Sequence, residues 1–247
     1  MTFLQAVSKA KAKYHTNNHV VIFCILFKLS KKVKNKLAFV NLRNETIDFP
    51  FGLFDRSLKD YFQEQKPLGQ IVNYTYFCHL KIRIFKNIFE PRAETELITE
   101  SIIKYLNQHP NLRQGADLCC GTGCMGIAIK KYCPHVSMTS VDINPKAIDN
   151  TKFNAKLNNL KVTTINGDFY QSLITKKKKF DFIVCNPPYV SEEKLNPIMV
   201  KYENKISFTN SNDPLFFYKK LVNNKKQILK PNGKIFFENP NAQLLII

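Results

Sequence analysis

From residue 94 onward the sequence alternates short strand-like runs with helix-like segments, and this alternation restricts the possible folds more than any other feature. The runs are GADLCC, HVSMTSVD, KVTTINGD, FDFIVCN and GKIFFEN, rich in apolar and β-branched residues and bounded by turn formers. Segments of helical character separate them at 124–132, 145–158, 170–176 and 214–229. Ahead of the first run, ETELITESIIKYLNQ carries Leu97, Ile98, Ile102 and Leu106 at helical spacing, with acids at its start that suit a helix dipole. Strands alternating with helices predict an α/β domain, a doubly wound and mostly parallel sheet with helices on both faces. Such sheets bind ligands beyond the carboxyl ends of their strands, so the residues that end each run are the ones to read for chemistry.

The first run turns through Gly121-Thr122-Gly123 into a helix. Glycines let a backbone approach a ligand, and a helix N-terminus offers unpaired N–H groups to a carboxylate or phosphate. The second run ends in Asp142, about 20 residues beyond the glycine turn, a spacing from which a carboxylate accepts hydrogen bonds from ribose hydroxyls. The third ends in Asp168-Phe169, an acceptor beside a flat ring suited to an adenine. The fourth ends in Asn186-Pro187-Pro188-Tyr189. Two prolines remove two N–H donors and stop a strand. They also fix carbonyl oxygens and one carboxamide where a ligand would sit. Each feature alone is more often structural than functional; their recurrence at successive strand ends is hard to explain by packing.

At 247 residues the chain accommodates one large domain, or a core domain with a smaller companion. Residues 1–65 are Lys-rich with apolar residues at helical spacing and are expected to form a small helical domain. Residues 66–92, containing QIVNYTYFCHLKIRIF, are expected to form a β-hairpin linker, and 93–247 the α/β domain. The charged stretch KKVKNKLAFVNLRN suggests a solvated helix face. VVIFCILF, the longest apolar run, falls far short of the ~20 residues that span a bilayer and suggests a buried helix. No membrane partner is expected. The net charge of +18, with 32 of the 37 basic residues Lys, favours polyanionic surroundings such as RNA or the ribosome, unless it reflects compositional bias. Seven cysteines are scattered without Cys-x-x-Cys or zinc-finger spacing, so they suggest reduced core residues and no metal. His15 and His19, four apart, suggest solvated side chains.

Taken together, the strand-end residues resemble those of class I methyltransferases, which have a Rossmann-like fold and use S-adenosyl-L-methionine. The resemblance implies that the turn of Cys119, Cys120, Gly121, Thr122 and Gly123 holds the methionine moiety, Asp142 the ribose, and Asp168 with Phe169 the adenine, with Asn186 bordering the cofactor. A Rossmann dehydrogenase fits less well, because Cys119 or Cys120 occupies the first glycine position and Asn-Pro-Pro-Tyr has no role there. Asn-Pro-Pro-Tyr resembles the signature of enzymes that methylate a planar NH2 nitrogen: a glutamine amide, adenine N6 or guanine N2. The lone pair of such a nitrogen is delocalised, so it is a poor nucleophile. The Asn186 side-chain oxygen and the Pro187 carbonyl can accept its two N–H bonds and turn the lone pair toward a methyl donor, while Tyr189, behind Pro188, packs on the planar group.

Residues 64–100, with Pro91-Arg92-Ala93-Glu94-Thr95-Glu96, and the segment KYENKISFTNSNDPLFFYKKLV resemble the release-factor glutamine methyltransferases, over about residues 60–240. That family implies a substrate, the glutamine of the Gly-Gly-Gln loop in a peptide chain release factor, and an N-terminal unit that helps to dock it. It also implies a setting in bacterial cytoplasm or an organelle of bacterial origin. Ala93, Cys78 and Phe169 depart from its usual residues. The family continues beyond the fifth strand with a helix and a strand pair, so NAQLLII is expected to leave an apolar tail and an exposed sheet edge. Two alternatives stand beside this reading: an adenine-N6 or guanine-N2 methyltransferase acting on DNA or RNA, and an inactive truncated homologue serving as a basic binding module.

Overall fold

A computed structural model describes residues 2–30, 49–209, 213–239, 241 and 243–247. The chain divides into two units, Met1–Asn73 and Tyr74–Ile247. In the first, helices α1 (Phe3–Tyr14), α2 (His19–Leu29), α3 (Phe51–Phe62) and α4 (Leu68–Val72) follow one another. The apolar run at 20–27 forms most of α2, which buries Val21, Ile22, Ile25 and Leu26 and packs against α3, where Phe54 and Leu58 are buried. Among the described residues no helix is long and apolar enough to cross a membrane. His15 caps α1 in the left-handed region while His19 opens α2, so the two do not share a helical face. The basic stretch KKVKNKLAFVNLRN lies outside the described residues.

The second unit starts with a hairpin, β1 (Tyr74–Phe77) and β2 (Leu80–Arg83), turning through Cys78 and His79, both at positive φ. Such a turn matches the strand twist but is strained for side chains other than Gly, Asn or Asp. Glu96 offsets the strain by accepting the Cys78 N–H at 2.6 Å, and the Tyr132 hydroxyl donates to the Cys78 carbonyl at 2.7 Å. The sequence placed 66–92 together as a linker. Instead residues 68–72 close the first unit as α4, and the hairpin belongs to the second, where Asn150, Asn154 and Asn158 hydrogen-bond the backbone of Arg83 and Lys81.

Helix α5 (Ala93–Gln108) then leads into β3 (Gln114–Leu118), α6 (Cys124–Tyr132), β4 (Ser137–Asp142), α7 (Pro145–Leu157), β5 (Thr163–Asn166), α8 (Gln171–Thr175) and β6 (Phe180–Cys185). The short α9 (Pro197–Tyr202), α10 (Phe216–Ile228), β7 (Leu229–Glu238) and β8 (Leu244–Ile246) complete the chain. One sheet runs β5-β4-β3-β6-β7-β8, parallel through β7. Its faces are buried separately. Ile102, Ile127, Phe182 and Val184 lie in one core, and Ile183, Cys185, Leu221 and Phe237 in the other. Three details depart from the sequence pattern. Leu97 is 65% exposed, because α5 turns Ile98, Ile102 and Leu106 inward at four-residue spacing. Strand β7 begins earlier than GKIFFEN, with Pro231 to Gly233 in the register shift opposite Phe180 and Phe182. The tail itself pairs: β8 lies antiparallel to β7, Glu238 opposite Leu244 and Phe236 opposite Ile246, so the edge of β7 is covered along that stretch.

Candidate active site

The chain runs from β3 outward through β4 to β5, then crosses back to β6 and runs outward the other way through β7. Strands β3 and β6 are therefore neighbours whose connections depart in opposite directions, the point at which such a sheet opens a crevice. Leu118 pairs with Cys185, so Cys119 and Asn186 leave the sheet side by side. A cavity of about 310 Å³ lies there. Cys119, Cys120, Gly121, Thr122, Asp142, Asp168, Phe169, Asn186, Pro187, Pro188 and Tyr189 all line it. Gly123 does not; it caps α6 at φ +77°, and a Cβ there would stand 2.6 Å from Thr151.

One wall is made of backbone and carboxylate. Gly121 sits at φ +55° with nothing within 4 Å of where a Cβ would stand, leaving the space beyond the turn open. The Asp142 carboxylate accepts from the Gly121 N–H and the Asn144 N–H, both at 2.9 Å. It therefore shapes the glycine turn as well as facing the cavity, a second role that spacing alone did not suggest. Burial pushes its carboxyl above the usual range, while these N–H groups pull it back. The buried face of α7 braces the turn: Thr151 donates to the Gly121 carbonyl at 3.2 Å and Asn154 to that of Thr122 at 2.9 Å. Hydrogen bonding to Cys185 and burial push the Cys119 thiol up, and burial does the same for Cys120, so neither is a ready nucleophile. Asp168 lies exposed at the rim. Phe169 is 6% exposed, its ring fixed edge-on by Tyr170 and Phe217.

The sequence reading missed Asp117 on this wall. It is 2% exposed, lines the cavity and accepts the Gly126 N–H of α6 at 3.0 Å. Burial pushes its carboxyl up to about 7, with the Gly126 N–H opposing and the charge of Asp142 reinforcing the rise. The signal available was an acid inside the apolar run of GADLCC, where a buried strand tolerates charge only with a partner.

The other wall is assembled from distant pieces of chain. Asn186 Nδ2 donates to Thr95 Oγ1 at 3.1 Å. Neither Asn186 Oδ1 nor the Pro187 carbonyl is taken by a donor among the described residues. Pro187 is buried. Burial, reinforced by Glu238, pushes the Tyr189 hydroxyl up to about 12, so it stays protonated and donates to Glu238 Oε1 at 3.4 Å. Glu203, fully buried, accepts the Glu90 N–H at 2.6 Å and pairs with Arg92, which brings Phe89 and Arg92 to the cavity lining. Thr95 and Glu238 were also missed as site residues. Thr95 stood inside a motif read only for resemblance, and Glu238 is adjacent to the site solely through the pairing of β6 with β7. Cys78, Glu96 and Glu100 carry ligand atoms within 4.8 Å of one another, but Glu96 already holds the hairpin turn and burial pushes the Cys78 thiol up to about 12.

Residues 86–202 match the family described as Methyltransferase small domain. The chain is 34% identical over 199 residues to the release factor glutamine methyltransferase of Clostridium acetobutylicum, an alignment covering 76% of this chain and 70% of that protein. It is 30% identical over 225 residues to an uncharacterized protein of Mycoplasma pneumoniae, covering 90% of this chain and 48% of that one. Among solved structures it is similar to the Thermus thermophilus 16S rRNA N2 G1207 methyltransferase in complex with AdoMet and guanosine. That match has a TM-score of 0.47 and 18% identity, covering 66% of this chain and 40% of the other.

Proposed function

The chain belongs to the release factor glutamine methyltransferase family, and on that premise we propose that it methylates the side-chain amide nitrogen of the glutamine in the Gly-Gly-Gln loop of a peptide chain release factor. Its cofactor is S-adenosyl-L-methionine. The residues present fit that cofactor: an open backbone cradle at Gly121, carboxylates at Asp117 and Asp142, and the Asp168-Phe169 pair all face one cavity. In this reading the turn from Cys119 through Thr122 receives the methionine moiety. Gly123 sets the turn from behind, Asp142 takes the ribose, and Asp168 with Phe169 takes the adenine. The low exposure of Phe169 limits it to an edge or one face. Asp117 adds a buried carboxyl, raised to about 7 by burial, that a cationic group would favour in its ionised form. When bound, the cofactor supplies an electrophilic methyl group.

The observation that carries the reading is the orientation of Asn186. Its Nδ2 is held by Thr95, which leaves Oδ1 to accept from an incoming amide, with the Pro187 carbonyl as the second acceptor. Two acceptors at fixed positions suit an NH2 group and present its nitrogen's lone pair perpendicular to the plane they define. Pro187 offers no competing N–H, and the Tyr189 ring stands beside the planar group. Tyr189, protonated well past neutral pH, does not act as a base. None is needed ahead of transfer, because the nitrogen sheds its proton readily once it becomes cationic. The N-terminal helical unit is proposed to help dock the release factor, and the +18 charge to favour the ribosome or RNA nearby.

Adenine N6 and guanine N2 present the same two N–H groups to the same acceptors, so the acceptor class is decided by experiment. Labelled S-adenosylmethionine supplied with a release factor, and separately with DNA and RNA, is expected to mark the release factor. The mark is lost when the acceptor's glutamine is replaced by glutamate. Label on nucleic acid alone would replace this reading with the base-methylating one.

A further inference from the structure

The two ends of the sheet carry their charge differently. At the cavity end cations stand beside acids: Arg92 pairs with Glu203, Lys205 with Glu192 at 2.9 Å and Lys219 with Asp213 at 2.8 Å. At the other end the parallel strands begin, and the segments leading into them are rich in lysine. Lys161 precedes β5, Lys176 to Lys179 run unbroken into β6, and Lys230 and Lys234 lie in the first part of β7. Asp181 is the acid set among them, and it is already engaged. It accepts the Arg113 and Gln114 N–H groups at 3.0 and 2.8 Å and pairs with Lys230 at 3.0 Å. Lys161, Lys176, Lys177, Lys178 and Lys234 have no ion pair among the described residues. Beside this row, at the starts of β4 and β5, an open depression of about 710 Å³ is lined by Lys130, Lys152, Lys156 and Lys161, with no acid in its lining. The Lys130 ammonium is fixed by the carbonyls of Pro134 and Val136 at 2.8 and 2.7 Å, so its charge is held in place but not cancelled. Lys152 also reaches Asp149 at 3.6 Å.

Helix ends explain part of this excess. Lys130, Lys131, Lys156, Lys225 and Lys226 lie in last turns, where cations offset the macrodipole. Lys161 and Lys234 lie outside the helices, and the five-residue α8 has little dipole to offset with four lysines after it. The partner that fits the remainder is a polyanion. An acidic protein would need apolar anchors, and no large apolar side chain stands exposed at 161, 176–179 or 225–234. Those positions offer no exposed ring to stack a base, and Arg113 turns its Nε to the Pro110 carbonyl at 3.4 Å. Such a surface holds phosphate without reading sequence. From β5 to β7 it crosses the starts of β4, β3 and β6, a span of about 19 Å at ~4.8 Å between neighbours. One strand of a duplex carries about five phosphates over that length.

We propose that this end of the sheet docks the phosphate backbone of RNA, while the cavity at the opposite end stays free for cofactor and acceptor. The choice of RNA rests on the ribosomal setting given above for the +18 charge; the placement of the surface does not, and it is independent of which NH2 group is methylated. Because lysines act here as point charges, binding depends on salt and not on sequence.

The test follows the fluorescence anisotropy of a labelled RNA hairpin of arbitrary sequence, and of its DNA counterpart, between about 50 and 200 mM salt. Wild type is compared with a triple variant of the row (Lys176→Gln, Lys177→Gln, Lys178→Gln) and a double variant of the depression (Lys156→Gln, Lys161→Gln). A control at the cavity end (Lys146→Gln, Lys205→Gln, Lys219→Gln) removes the same charge as the triple. The triple variant is expected to weaken RNA binding at least about ten-fold at the lowest salt and to flatten the slope of log affinity against log salt by about 2–3. The double variant flattens it by about 1–2, and the control stays within about three-fold of wild type. RNA is bound at least as tightly as DNA. The row and depression variants melt with wild type and methylate the same acceptor within about two-fold, as surface substitutions away from the site should. Saturating RNA leaves that transfer unchanged. Absence of RNA binding at low salt, equal losses in the row and control variants, or tighter binding of DNA would each overturn the proposal. So would inhibition of transfer by RNA that the row variants do not relieve, which would place the RNA in the cavity. Methyl label appearing on RNA and not on a release factor would overturn the acceptor reading alone, and the row variants would still decide the docking.

Discussion

The two walls of the cavity leave neighbouring strands at the same register, yet they are built by different means. The wall after β3 is local. Gly121 and Asn144 both donate to Asp142 within about one β-α-β unit, Gly123 donates to the Cys120 carbonyl, and α7 braces the turn from directly behind. The wall after β6 is assembled from afar: Thr95 on α5 meets Asn186, Glu238 on β7 meets Tyr189, and Glu203 holds Arg92. In the proposed function the first wall serves as a binding surface whose parts brace each other, and the second as a presenting surface, set by hydrogen bonds between residues 49 to 111 positions apart. Damage to the first should therefore appear in affinity and stability together, and damage to the second in rate.

The largest expected effect lies on the presenting wall. Asn186→Ala should lower single-turnover transfer by about 10²–10³-fold, the loss seen when one positioned hydrogen-bonding group is removed from a transition state. Thermal melts alongside would show whether a mere strand stop had been removed; in that case stability drops and the rate per folded molecule does not.

On the binding wall the expected effect is one of stability. The Asp117 carboxyl is raised from 3.8 in the unfolded chain to about 7 in the fold, so the native state binds its proton more tightly. Its contribution is complete below about pH 4 and is lost as pH rises toward and through about 7. Urea unfolding of wild type and Asp117→Asn between pH 4 and 8 should show the substituted protein gaining roughly 2–4 kcal/mol relative to wild type across that range. A cationic ligand that favours the carboxylate should shrink the difference. A pH-independent difference would remove Asp117 from the account.

Asp142→Ala should weaken cofactor binding by about 1–3 kcal/mol, from the loss of charge-assisted hydrogen bonds. Because the Gly121 and Asn144 N–H groups lose their acceptor, it should also lower the melting temperature. Calorimetric titration with normal affinity would sever the link between this residue and the ligand. The smallest effect expected is that of Tyr189→Phe, a few-fold at most in rate, since the ring that flanks the acceptor is kept. The hydrogen bond lost to Glu238 is long at 3.4 Å. A hundred-fold loss would give the hydroxyl a role that its geometry does not support.

The same division explains what the sequence could disclose. A doubly wound sheet is written in alternation, and the glycine turn with Asp142 in a spacing of about 20 residues, because those constraints are local and periodic. Asn-Pro-Pro-Tyr was legible since proline after a strand is conspicuous. Thr95 and Glu238 were not, because no period connects residue 95 to 186 or 238; only the pairing of β6 with β7 and the docking of α5 bring them together. Four apolar residues at helical spacing do not say which line faces the core, and burial selects Ile98, Ile102 and Leu106 while Leu97 stays exposed. The pairing of 244–246 with β7 is not legible in the sequence, because a three-residue strand is too short to recognise without its partner.

The division of labour between the walls is tested most directly by crossing the two substitutions with cofactor concentration. Single-turnover transfer to a release factor is measured for wild type, Asp142→Ala and Asn186→Ala, first at limiting and then at saturating S-adenosylmethionine. Asp142→Ala is predicted to recover to within a few-fold of wild type at saturation, while Asn186→Ala stays about 10²-fold or more below it. Recovery of both to the wild-type rate, or an equal deficit in both at saturation, would contradict the account.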